Sequence, residues 1–195
     1  MHPIDPAPDG RERIHPESTA DLRAWLAENH GRAAGVWVVR WRPASGREEL
    51  DYDQLVCALL SFGWVDSTAG KVDDERTMLY CAPRKRGSMW SRPNKDRVAQ
   101  LEDDGLLEPP GRAVIERAKT DGSWTLLDDV EELIVPDDLA VALDARPGAR
   151  EHWEAFPPSA RKYALTQLVL AKRDATRAAR VTRIADAAAK GERIG

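Results

Sequence analysis

Residues 35–41 read GVWVVRW, three valines and two tryptophans in seven positions, and such a β-branched and aromatic run reads as a strand. Working upstream, Ser18 stands three positions before Asp21 in a capping-box-like start. Leu22, Trp25 and Leu26 follow at helical spacing, and Asn29-His30-Gly31 stops the helix. Downstream, PASGRE (43–48) is a turn and Asp51 is the N-cap of a second helix. Leu55, Val56, Leu59, Leu60 and Phe62 lie on the buried side of that helix and Gly63 ends it. Trp64-Val65-Asp66 is a short strand and RTMLYCA (76–82) a better one. Two or three strands beside helices predict a small mixed sheet.

The flanks differ in character. Residues 1–16 hold four prolines and little apolar material, and read as a flexible leader of extended chain. Ser91 and Pro93 open a helix towards Asp104, with Gly105 as its stop. Helices are expected at about 111–120, 137–144 and 148–155, and from Pro158 to Lys190, with Trp124 covering a core edge. The fold class is therefore α+β, a small mixed β-sheet flanked by helices with an all-helical C-terminal module. The boundaries fall at a leader 1–16, an α+β region 17–125 and a helical module 126–195. No long linker separates the last two, so they are expected to form one compact unit.

Composition narrows the function. The chain has 195 residues, with 29 Lys and Arg against 33 Asp and Glu, a net charge of −4. No global field draws it to nucleic acid or an anionic membrane, so nucleic acid is a disfavoured partner. There is no apolar run near eighteen residues, so no membrane span is expected. The polar, proline-rich start does not read as a signal peptide, which makes cytoplasmic residence the expectation. Cys57 and Cys81 form no CxxC pair, and His2, His15, His30 and His152 are scattered, so no metal and no cofactor is expected. No glycine-rich phosphate loop and no nucleophile motif is present. Nothing in the sequence sets an oligomeric state.

Two basic clusters stand out. Residues 84–97, RKRGSMWSRPNKDR, hold six basic side chains against one acid. Guanidinium groups, serine hydroxyls and backbone N–H groups at a helix start suit an anionic oxygen ligand, and a tryptophan can stack on a planar group. With this loop the densest polar cluster runs from Gly63 to Lys95 and comprises Trp64, Asp66, Ser67, Lys71, Arg84, Lys85, Ser88, Trp90, Ser91, Asn94 and Lys95; a solvated basic loop with Trp90 in the core is its bland reading. The second is AKRDATRAARVTR (171–183), where Lys172, Thr176, Arg177 and Arg180 recur at three- and four-residue spacings. That face either complements the acidic stretch 98–160, with 15 acids against 5 bases, or forms a second wall of the anion site. Asp66 is the candidate carboxylate for orienting an arginine or acting as a general base; otherwise it caps a turn. Arg84 is expected to be a surface group whose loss removes ligand binding and costs under ~1 kcal/mol of stability.

The run ALLSFGWVDS (58–67), the stretch APRKRGSMWSRPNKDRVAQLEDDGLLEPPGRAVIERAKTDGSW (82–124) and the tail FPPSARKYALTQLVLAKRDATRAARVTRIADAAAKGER (156–193) resemble the YdeI/OmpD-associated, or bacteriocin-protection, family. The similarity spans roughly residues 17–193. Its pattern is carried by Trp64, Asp66, Arg84, Ser88, Trp90, Ser91, Asn94, Lys95, Lys172, Thr176, Arg177 and Arg180, and Met89 and Pro93 depart from it. The resemblance implies small cytosolic proteins of an α+β class, associated by name with resistance to antimicrobial peptides or bacteriocins and with a porin. It implies no agreed catalytic site. The expected function is binding of a small anionic or peptidic ligand in a pocket of Arg, Ser and Trp residues. The alternatives are an enzyme acting on a phosphate- or carboxylate-bearing substrate, with Asp66 as base and Arg84 and Lys95 holding charge, and a nucleic-acid-binding module.

Overall fold

A computed structural model describes residues 1–47 and 50–194. The chain divides into two compact units, residues 1–88 with 93–123 and residues 89–92 with 124–194.

The first unit is built on the strand quoted above. Val36–Trp41 (β2) pairs antiparallel with Arg76–Pro83 (β4), which pairs antiparallel with Trp64–Lys71 (β3). The leader adds a strand that its composition does not announce: Arg13–Ile14 (β1) pairs parallel with β2, giving the order β1-β2-β4-β3. The sheet is mixed, as expected. Val36, Trp37, Val38 and Val39 are all buried, so β2 is covered on both faces. On one side Trp37, Val39 and Met78 pack with Ala7 of the leader. The leader is held there by Arg13, which donates to the carbonyls of Asp5 at 2.6 Å and Pro6 at 2.8 Å.

The helices follow their caps. Thr19–Asn29 (α1) starts with Asp21 N–H donating to Ser18 Oγ at 3.1 Å, and buries Leu22 and Leu26. Tyr52–Ser61 (α2) carries a full capping box between Asp51 and Gln54 and buries Leu55, Val56, Leu59 and Leu60. Each such leucine contributes about 1.5–3 kcal/mol by leaving water. Gly63 ends this segment at φ +76°, where a side chain would also strike Val114. The turn read over 43–48 appears as a 3-10 turn at Pro43–Ser45, and its last residue, Glu48, lies outside the described residues. Arg92–Asp103 (α3) and Pro109–Thr120 (α4) follow. Gly111 of α4 lies so close to α2 that a Cβ there would sit 2.3 Å from the Ser61 carbonyl oxygen.

The second unit is helical. Asp128–Glu131 (α5), Asp137–Asp144 (α6), Ala149–Ala155 (α7), Pro158–Val169 (α8) and Asp174–Ala189 (α9) enclose a core of Leu139, Leu143, Trp153, Leu165, Leu168, Ile184 and Ala185. The single helix expected from Pro158 to Lys190 is two, because the chain leaves helical geometry at Leu170–Arg173 and restarts at Asp174. No helix of the described residues is long and apolar enough to cross a membrane.

One buried group in the first unit makes stability pH-dependent. His15 is 1% exposed, its ring 4.7 Å from that of His2 and 5.1 Å from that of Trp41. Burial, helped by His2 and Arg76 and opposed by Glu17 and Asp73, lowers its pKa to about 4. Because the folded value lies below the unfolded one, stability is intact above about pH 6.5 and is lost as pH falls towards 4. The full loss is about 3 kcal/mol. Urea titrations at pH 7 and pH 4 compare the wild type with His15→Leu; the variant should lose markedly less, and parallel losses would refute the assignment.

Candidate functional site

In the first unit three elements bring polar side chains together beside the start of α2. The Asp51 cap sets Tyr52 and Asp53 on the first turn of α2. Asp66 stands on β3 opposite Cys81, immediately before a bulge at Ser67–Thr68. A bulge breaks the strict alternation of a strand and re-aims the side chains next to it. Tyr52 donates its hydroxyl to Asp66 at 3.0 Å. From α3, Arg97 donates to Asp53 at 2.7 Å and to Asn94 Oδ1 at 3.2 Å. Burial and the Asp66 charge push the Tyr52 phenol up, while Arg97 and Arg40 pull it down; the net is upward, so the hydroxyl stays a donor.

Arg84 completes this group and corrects an expectation. It is 5% exposed and is not a surface group. Burial lowers its pKa to about 10, and Asp66 opposes that loss, so the guanidinium is charged at neutral pH. Its backbone is fixed at both ends. The Arg84 N–H donates to the Gly63 carbonyl at 2.9 Å, and Arg117 donates to the Arg84 carbonyl at 3.1 Å. Asp121 is held below the usual carboxylate range by the Ser123 hydroxyl and N–H, and the Gly87 N–H and Arg86 add to this. The basic loop is thus anchored on both flanks.

The other sequence candidates of this unit are mixed in placement. Trp64 is fully buried, its indole N–H donating to the His30 carbonyl at 3.0 Å, with the Trp25 ring edge-on at 5.7 Å. Lys85 is exposed, while Ser88, Asn94 and Lys95 are half-buried. Neither cysteine is an activated nucleophile: burial pushes both thiols up, with Asp53 adding to the effect at Cys57 and Asp66 at Cys81. Tyr52, Asp53 and Arg40 lie outside the sequence candidates, and Arg97 is one of the six basic side chains of 84–97 without being among the candidate site residues. A visible signal existed for Arg97, which stands three residues after Asn94 on one helix face.

In the second unit Trp90 is buried, its ring 4.9 Å from that of Trp124, and Ser91 is half-buried. Lys172 and Thr176 are exposed. Arg177 holds Asp138 with two bonds, 2.6 and 3.0 Å, and also donates to the Leu168 carbonyl at 3.4 Å. Arg180 donates to the Gln167 carbonyl. Both arginines therefore donate to carbonyls of the last turn of α8, where the helix dipole favours cations, and the Leu168 carbonyl also accepts the Ala171 N–H at 3.0 Å. Among the described residues no three His, Cys, Asp or Glu side chains are grouped to hold a metal ion.

The fold and the cluster thus define an α+β unit bearing a group of charged and polar side chains, followed by a helical unit in which Arg177 and Arg180 of the basic face are engaged internally. Residues 14–114, just over half the chain, match the family described as a domain of unknown function (DUF8412), and the chain belongs to it. Residues 132–191 match the family described as bacteriocin-protection, YdeI or OmpD-associated. That match lies in the tail, whereas the stretch 58–67 falls within the other family's residues. No protein of curated function and no solved structure matches the chain.

The contrast between the two arginines is measurable by chemical denaturation. Arg84→Ala removes a buried side chain and leaves Asp66 without its nearby charge, and should cost about 2–4 kcal/mol. Arg177→Ala removes a half-exposed ion pair and should cost about 1 kcal/mol. Equal costs for the two would contradict the difference in burial.

Proposed function

We propose that this protein is a binding protein that takes a small anionic ligand, or the carboxylate of a peptide, at the Tyr52–Asp66–Arg84–Arg97 cluster of its first unit. The observation that carries this reading is a charged guanidinium, Arg84, 5% exposed at a backbone position anchored on both sides and within the field of Asp66, which also accepts the Tyr52 hydroxyl. Arg40 and Arg97 both act on the same Tyr52 hydroxyl, and Arg97 also holds Asp53, so the cluster gathers guanidinium and hydroxyl donors in one place. An oxyanion answers such donors with charge-assisted hydrogen bonds, each worth about twice a neutral one. The bacteriocin-protection description of residues 132–191 supports a role in resistance to antimicrobial compounds, with the ligand a toxic compound that is sequestered or sensed.

Calorimetric titration with inorganic phosphate and with succinate tests the reading. Arg97→Gln should weaken binding at least ten-fold while shifting stability by under ~1 kcal/mol, as exposed ion pairs do. Asp66→Asn removes the opposing charge and should tighten binding. If both variants titrate like the wild type, the cluster is a fold-holding network and not a ligand site.

A further inference from the structure

The second unit contains a cavity of about 190 Å³ walled by Val130, Ile134, Leu165 and Leu168, with Asp129 and Arg177 also lining it. An apolar cavity of ~150 Å³ is large enough to take benzene, so this one admits a single large aliphatic or aromatic side chain. Its opening is at the surface, because Ile134 is 52% exposed and Asp129 is exposed.

The chain segment at its rim is acidic, and the cations beside it are paired. The segment from Asp128 to Asp138 carries six acids and no base. Glu131 is paired with Lys162 at 2.5 Å, Glu132 with Arg92, and Asp138 with Arg177. Arg177, the cavity's cation, is therefore neutralised by its two bonds to Asp138. Asp129 and Asp137 have no side-chain partner among the described residues. Next to this lies an unusual backbone: Leu133 has φ +58°, a conformation that costs an L-residue about 1–2 kcal/mol. The turn is locked there by the Leu133 N–H on the Val130 carbonyl at 3.1 Å and the Ile134 N–H on the Asp129 carbonyl at 2.8 Å. It leaves Ile134 outside the core, at the rim.

We propose that this cavity is a docking site for a basic peptide segment. One large apolar side chain of the segment fills the cavity, and a neighbouring lysine or arginine pairs with Asp129. The site is separate in residues and opposite in charge preference from the anion cluster, so the two readings stand or fall independently.

The experiment is fluorescence anisotropy with the full chain and a labelled six-residue peptide in which a central Phe-Leu pair is flanked by lysines. Two control peptides replace the apolar pair by serines or the lysines by glutamates. The lysine peptide should bind at least ten-fold more tightly than either control, and added salt should weaken it. Asp129→Lys and Ile134→Asp, both at exposed positions, should each cut its affinity at least ten-fold with unchanged circular dichroism, while Arg97→Gln should leave it unaltered. Equal binding of the serine peptide would reduce the effect to general attraction by an acidic chain and overturn the proposal. Preference for the glutamate peptide would assign Arg177 as the partner and overturn it too. A dimer that Ile134→Asp dissolves, with no peptide binding, would make the occupant a second copy of this chain instead.

Discussion

Everything in the first unit depends on the burial of β2 from both sides. A strand reading Val-Trp-Val-Val alternates its side chains to opposite faces, and both faces here are apolar. Neither can be left to water without giving up about 1.5–3 kcal/mol for each large side chain. One face lies against Ala7, so the proline-rich start is recruited to the sheet despite its own poor propensity for regular structure. Tertiary burial decides the matter, and β1 is the by-product: two residues of chain held beside β2 complete a ladder at little further cost. His15, immediately after β1, is carried into the interior by the same packing, and its depressed pKa is the electrostatic trace of that constraint.

The sheet also explains why a charged group can be kept buried at Arg84. The residue follows β4 directly, and its N–H continues onto the Gly63 carbonyl at the start of the neighbouring strand. Gly63 itself occupies a left-handed conformation with α4 pressed against it, so the position is set by helix packing as much as by strand pairing. Ordering a long side chain at such a point costs rotamer entropy, and burying its charge costs more. Asp66 on the adjacent strand answers part of that charge. The bulge beside Asp66 and the capping box at Asp51 then bring the Tyr52 hydroxyl onto the same carboxylate.

What the sequence makes legible follows from how local each signal is. Ser18, Asp51 and Gly63 act within a single turn, and each lies where its residue type says it should. The long third strand is legible only at Trp64-Val65-Asp66, because Ser67, Thr68 and Gly70 have little apolar content and lie on an edge strand. Burial of Arg84 was invisible for a related reason: six bases in fourteen residues look like a solvated loop, and nothing local distinguishes one inside a strand-end anchor. Trp64 shows the same limit in reverse. It stands next to Asp66 in the chain, but its indole points into the core and its neighbour's carboxylate meets Tyr52.

The helical unit shows how charge count and charge function separate. The tail's basic side chains and the preceding acidic stretch are complementary in composition, and in the structure Arg177–Asp138 and Lys162–Glu131 are such pairs, while Arg146–Asp186 runs the other way, base from the stretch and acid from α9. Half-exposed pairs of this kind add little stability, about 0–1 kcal/mol each. Their larger effect is on what remains. Once Arg177 is bound to Asp138 and turned to the end of α8, the cavity beside it has an apolar wall and an unpaired carboxylate at its mouth. Counting bases along α9 would assign this surface to anions. Following each guanidinium to its partner assigns the residual charge to Asp129 and reverses the sign of the ligand that the surface prefers.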